Sequence, residues 1–230
     1  MIYLGGGGSE IDEANVFEQA FQPGQHIIVW PWALPEPEHE GCLAWLSQAI
    51  VDKGEFKSLS LAKPPAFGLD AADIVVIPGG NTFDLLARLR EHQLIGPLKN
   101  FASNGGKIYG GSAGAILMGL DIDIADATKG GLDDNTVGLR DTQGLGLVGD
   151  FVVFPHYEAA NENHRTYCNE WASEHSVGVL GLLERGGVSV DSAGNAVNLG
   201  PSDVMVFRKD QDPEIWKAGV EMDLHKYTSN

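Results

Sequence analysis

The chain has 230 residues and carries 15 Lys+Arg against 32 Asp+Glu, a formal net charge of −17. Its hydrophobic content of 43% excludes disorder as the main state and suffices for a buried core, read as a single α/β domain over residues 1–230. The charge excludes nucleic acid as a partner, because phosphate recognition needs a basic stripe. No run approaches the ~20 apolar residues of a spanning helix, so no membrane partner is expected.

The opening MIYLGGGGSE has neither a basic n-region nor an apolar h-region, so the expected location is the cytoplasm. Cys42 and Cys168 are too few for a disulfide framework and lack metal-ligand spacing. The oligomeric expectation is a monomer or a homodimer.

In chain order, Met1 to Leu4 reads as a short strand and Ile27 to Trp30 as a stronger one. Leu43, Leu46 and Ile50 have helical spacing within Cys42 to Val51. Ser58 to Leu61 and the apolar run Ile74 to Ile77 read as strands, the second closed by Gly79–Gly80. Phe83 to His92 and Leu94 to Ser103 read as helices. Lys107 to Gly110 is a strand that runs into Ser112, with a small-residue helix from Ala113 to Leu120 behind it. Continuous apolar strands alternating with helices predict a mostly parallel sheet covered on both faces. Later, Phe151 to Phe154 is a strand and Arg165 to Glu174 a helix. Val177 to Leu183, Gly187 to Val190, Ala196 to Leu199 and Val204 to Arg208 follow as closely spaced strands, with a hairpin turn at Asp191 to Asn195. Extra antiparallel strands are therefore expected near the C-terminus.

The sharpest motif is Gly110-Gly111-Ser112-Ala113-Gly114, a G-x-S-x-G between a predicted strand and a predicted helix. A tight strand-to-helix bend there aims the serine hydroxyl over the carboxyl edge of the sheet, with helix N-terminal amides beside it. The competing reading is a glycine-rich turn with Ser112 as helix cap. Among seven histidines, His156 lies just beyond the strand FVVF and Pro155, where α/β sheets carry functional side chains. It is read as a base for Ser112 or as a packing histidine. Pro78-Gly79-Gly80-Asn81-Thr82-Phe83 is a third strand-to-helix turn, in which glycines admit close backbone approach. Asn81 suits the cap of the next helix and, equally, a substrate contact. No lysine follows as in a P-loop, and the N-terminal glycines lack a clean dinucleotide fingerprint.

Together GGNTF, GGSAGA and FPHY resemble peptidase family S51, the dipeptidase E and cyanophycinase-like serine peptidases, whose fold is similar to that of class I glutamine amidotransferases. The resemblance runs from about Ile74 to Phe207. It implies Ser112 as nucleophile, His156 as general base, and an oxyanion hole from the amides of Gly80 and Ala113. Gly181-Leu182-Leu183-Glu184-Arg185-Gly186 resembles the family's G-L-P-E-G-like stretch, so Glu184 would orient His156, with Asp191 in reserve. In dipeptidase E an arginine beyond the histidine reads an N-terminal aspartate; Arg165 is the nearest match. A guanidinium suits that task through its planar fork. The segment is shorter here than in typical dipeptidase E, and Gly111 replaces a bulkier residue of several relatives.

The implied reaction is acyl transfer to Ser112 from a short peptide, with no metal or organic cofactor. A glutamine amidotransferase would need cysteine where Ser112 stands. An α/β-hydrolase esterase would order its triad serine, acid, histidine and use residues such as Asp203 and His225. A catalytically silent binding protein on the same fold is the third alternative.

Overall fold

Short apolar strands, buried along nearly their whole length, build the centre of the molecule. The computed structural model describes residues 1–64 and 67–225. Strands β1 (Ile2–Gly5), β2 (His26–Val29), β3 (Ser58–Leu61), β4 (Ile74–Ile77) and β5 (Lys107–Gly111) pair in parallel in the order β1-β5-β4-β2-β3. Tyr3, Ile27, Val29, Ile74, Val76 and Tyr109 face one side. Leu4, Ile28, Val75, Ile77 and Ile108 face the other. Period-two alternation on a sheet covered on both faces requires two separate apolar layers, and both are present.

The first layer is closed by α1 (Ala14–Ala20) and α2 (His39–Ala49), which bury Val16, Phe17, Ala20 and Leu46. The second is closed by α3 (Thr82–Glu91), α4 (Ile95–Ser103) and α5 (Ala113–Met118). All six residues of α5 are buried. A Cβ on Gly114 would lie 2.0 Å from the Ile77 carbonyl oxygen, so only glycine lets α5 approach β4 this closely.

The C-terminal third divides between two sheets. Strand β6 (Phe151–Phe154) pairs in parallel with β7 (Gly178–Leu182) across helix α6 (Glu162–His175). Strand β8 (Gly187–Val190) returns to the large sheet, antiparallel to β1, and β9 (Asn195–Asn198) pairs with β8. Strand β10 (Val204–Phe207) goes back to β7 and is joined by β11 (Glu214–Trp216). Strand β12 (Glu221–Asp223) extends the large sheet beside β9. The described residues thus form sheets of eight and four strands. The expected α/β architecture with late antiparallel strands is present, distributed over two sheets. Among the described residues no helix is long and apolar enough to cross a membrane.

Three elements absent from the sequence reading are α1, β11 and β12. Each is short, and α1 is held by burial of Val16, Phe17 and Ala20 rather than by helix propensity. Replacing Gly114 by alanine forces α5 off β4, and the expected loss is about 3 kcal/mol of unfolding free energy. A urea midpoint equal to wild type would refute the close-packing account.

Candidate active site

Ser112 stands between β5 and α5 with φ 50° and ψ −111°, a conformation costing on the order of 1–3 kcal/mol for a residue with a Cβ. Its backbone is pinned on both sides. The N–H donates to Gly5 O at 3.3 Å, and the carbonyl accepts from Ala115 and Ile116 at 2.8 and 3.0 Å. The hydroxyl makes no cap bond to α5, which removes the helix-cap reading. It meets His156 Nε2 at 2.9 Å instead.

His156 follows β6 and Pro155 and also has positive φ, at 53°. Its N–H donates to Gly6 O at 2.9 Å. Its Nδ1 lies 2.9 Å from Glu184 Oε1. A carboxylate only accepts, so Nδ1–H donates to Glu184 and Nε2 is left to accept from the Ser112 hydroxyl. Glu184 sits at the corner where the chain leaves β7 in the small sheet for β8 in the large one. Its side chain is 60% exposed and that of His156 31%.

The reserve acid Asp191 is committed to its own turn, accepting from Ala193 N, Asn195 N and Asn195 Nδ2. Those bonds, the Asn195 side chain's foremost, hold its carboxyl below the usual range. Asp203, the acid of the esterase alternative, pairs with Lys217 at 2.7 Å. The ring on Ser112 is therefore that of His156 and not His225.

The Gly79–Gly80 turn lies against the serine, a Cβ on Gly79 falling 3.6 Å from Ser112 Oγ. Its path is fixed by Asn81 N donating to Ala33 O at 2.7 Å. Neither the Gly80 nor the Ala113 amide has an acceptor among the described residues, and Ala113 is the first residue of α5. Asn81 has a scaffolding position. Its Oδ1 caps α3 through Phe83 N and Asp84 N, and its Nδ2 donates to Asp134 O at 2.9 Å. These bonds give Asn81 a scaffolding role in the turn and leave one Nδ2–H without an acceptor among the described residues. Arg165 is exposed on α6, and its guanidinium makes no ion pair or hydrogen bond among the described residues.

The sequence reading missed Glu13. This carboxylate is only 1% exposed. Its Oε1 accepts from Gly7 N at 2.7 Å and Gly8 N at 3.1 Å, and its Oε2 accepts from the Tyr109 hydroxyl at 2.6 Å. The N-terminal glycines thus form an anion-binding nest that the chain fills with its own side chain. Burial pushes the Glu13 carboxyl up to about 7, against the lowering effect of these three bonds. The available signal was an acid following a glycine run closely enough to fold back on it. A cavity of about 100 Å³ beside Ser112 is lined by Glu13, Gly7, Tyr109 and Gly111. It shares Trp45, Pro78 and Gly79 with a groove of about 430 Å³ that reaches Leu34, Glu38 and Cys42.

The family model of peptidase family S51 matches residues 23–197, about three quarters of the chain. The chain belongs to peptidase family S51. Among the proteins similar to this S51 chain, peptidase E of Escherichia coli O1:K1 is 29% identical over 164 residues, covering 67% of each chain. Peptidase E of Shigella boydii serotype 18 aligns to the same extent. Of solved structures, a peptidase from an acI-B1 actinobacterium superposes with a TM-score of 0.69 at 16% identity, covering 96% of both chains. A Listeria monocytogenes EGD-e protein named for peptidase E gives a TM-score of 0.64 at 20% identity, covering 90% of this chain and 97% of that one. These two share the fold. Family membership places the chain among the serine peptidases.

The raised carboxyl of Glu13 has a measurable consequence for stability. The folded chain holds this proton to higher pH than the unfolded chain, so stability is greatest below about pH 4.5 and is lost as pH rises through about 7. Full loss amounts to about 3 kcal/mol. Urea midpoints taken at pH 5 and pH 8 are expected to fall for wild type by that contribution and to lose it in Glu13→Gln. Equal slopes in the two proteins would contradict it.

Proposed function

We propose that this S51 peptidase hydrolyses short peptides of the dipeptidase E substrate type through an acyl-enzyme on Ser112, with His156 as base and Glu184 as its orienting acid. The observation that carries the reading is the unbroken relay of 2.9 Å contacts from Ser112 Oγ to His156 Nε2 and from His156 Nδ1 to Glu184 Oε1.

His156 Nε2 takes the Ser112 proton as Oγ attacks the substrate carbonyl carbon. Negative charge develops on the carbonyl oxygen and is received by the Gly80 and Ala113 N–H groups, which have no acceptor among the described residues. The imidazolium, stabilised by Glu184, gives its proton to the leaving amine as the C–N bond breaks. Water then enters, His156 removes its proton, and attack on the ester releases the acid and restores Ser112. Strain at Ser112 supports this role, because a serine serving only as a turn residue has no need of φ 50°.

A fluorophosphonate probe is expected to label wild type at Ser112 and not Ser112→Ala. Dipeptide turnover should fall to the level supported by binding alone in Ser112→Ala and His156→Ala, and by a smaller factor, roughly 10²–10⁴, in Glu184→Gln. His225→Ala is expected to retain wild-type turnover. Loss in His225→Ala with retention in His156→Ala would instead favour the esterase order of residues.

The finer reading concerns the substrate. An exposed guanidinium at Arg165, with no ion pair or hydrogen bond among the described residues, supports recognition of an N-terminal aspartate by a planar fork. A dipeptide library comparing Asp-X with neutral N-terminal residues is expected to show a preference for Asp-X that Arg165→Ala abolishes. Equal cleavage of both classes, unchanged in the variant, removes the acidic subsite and leaves the serine chemistry intact.

A further inference from the structure

One buried ionisable side chain beside Ser112 has no part in the acyl transfer. Glu13 caps no helix with its side chain; its carboxylate points back into the turn after β1. That turn is the surface on which His156 rests. Gly6 O accepts the His156 N–H at 2.9 Å, and Gly7 (φ +96°) lies so close to the imidazole that a Cβ there would fall 2.4 Å from Cε1 and Nε2. Gly7 N and Gly8 N are the two groups that Glu13 holds. Its other oxygen is held by Tyr109, three residues before Ser112 on β5. One carboxylate therefore links the strand that carries the nucleophile to the turn that backs the base.

We infer that Glu13 is a positioning residue for His156: its ionised carboxylate holds the Gly7–Gly8 turn against the imidazole, and protonation slackens that hold and the Ser112–His156 contact. The inference rests on the serine-peptidase reading of Ser112 and His156. The physical basis is the strength of charge-assisted bonds, roughly twice that of neutral ones. A protonated carboxyl keeps Oε1 for Gly7 and Gly8 as a weaker acceptor, while its Oε2–H donates to the Tyr109 oxygen and turns that charge-assisted bond into a neutral one.

The groups that face Glu13 set where this occurs. Tyr109 donates from β5, Asp12 adds like charge from the preceding residue, and His156 lies across Gly7. Arg185, at the β7–β8 corner, pairs with Asp12 at 3.4 Å. Burial raises the carboxyl to about 7, so both charge states occur near neutral pH.

The test is the rate of fluorophosphonate labelling of Ser112 from pH 5 to pH 9, which needs no knowledge of the substrate, paired with the ¹⁵N shifts of the His156 ring. Wild type is expected to gain rate on the acid side through the ionisation of Glu13, and the His156 ring shifts are expected to show an inflection at the same pH. Glu13→Gln should label roughly ten- to a hundredfold more slowly at pH 8, with the Glu13 step absent from both the rate and the His156 shifts. Tyr109→Phe keeps the carboxylate and removes a bond that lowers its pKa, so its acid limb should move to higher pH. It decides the matter if Glu13→Gln does not fold. Wild-type rate and slope in Glu13→Gln, or an unmoved limb in Tyr109→Phe, overturns the inference alone. A wild-type chain left unlabelled at Ser112 overturns the serine reading and this inference with it.

Discussion

The hydrogen bond from the His156 N–H to the Gly6 carbonyl, 2.9 Å long, joins the small sheet to the end of β1 in the large one. Beside it the Gly6 N–H donates to Gly186 O at 3.1 Å, so the same turn also grips the corner that carries Glu184. No side chain fits at this joint. A Cβ on Gly6 would lie 1.9 Å from Leu183 O. The glycine run after β1 is thus the element against which His156 and Glu184 are both set, and Ser112 reaches it through its own bond to Gly5. Without this meeting of main chains, three side chains from two sheets would have no common frame.

Burying a carboxylate within this joint is costly unless its lone pairs are satisfied. Three donors from two elements offset part of that cost for Glu13, whose carboxyl is still pushed up to about 7 by burial. The arrangement also explains how a chain of net charge −17 holds a nest of main-chain N–H groups next to its reactive serine. The nest's positive potential is answered internally, whereas the Gly80 and Ala113 amides have no acceptor among the described residues. Long-range repulsion from the acidic surface is screened within about 8 Å at physiological salt, so local donors govern what the site receives.

Much of this was legible in the residues themselves. Apolar tetrapeptides such as Ile74 to Ile77 announce buried parallel strands because no other element places four consecutive apolar side chains in a covered sheet so economically. Ser112 and His156 could be singled out because each stands just past a strand, where local sequence and position in the sheet coincide, whereas Glu184 was reached only through the family resemblance of its stretch. The partition of the late strands into two sheets was not legible, since β7 and β8 have similar composition and pairing is decided by long-range register. Asn81 was half legible. A cap is a local property, whereas its second bond, to Asp134, depends on a loop 53 residues away. Glu13 escaped because a buried acid appears in sequence as an ordinary polar residue, and only the fold reveals the three donors around it.

The chain crosses from β7 to β8 in four residues, Leu183 to Gly186, and Glu184 is one of them. This corner has no slack. Both of its ends are fixed by ladders, one to β10 and β6 and the other to β1 and β9, so an inserted residue cannot be absorbed by sliding a strand. Corner length therefore acts as a spacer gauge for the acid–imidazole distance, independent of the stability of either sheet. Lengthening the crossing by one residue would therefore displace Glu184 from His156 while leaving both ladders paired.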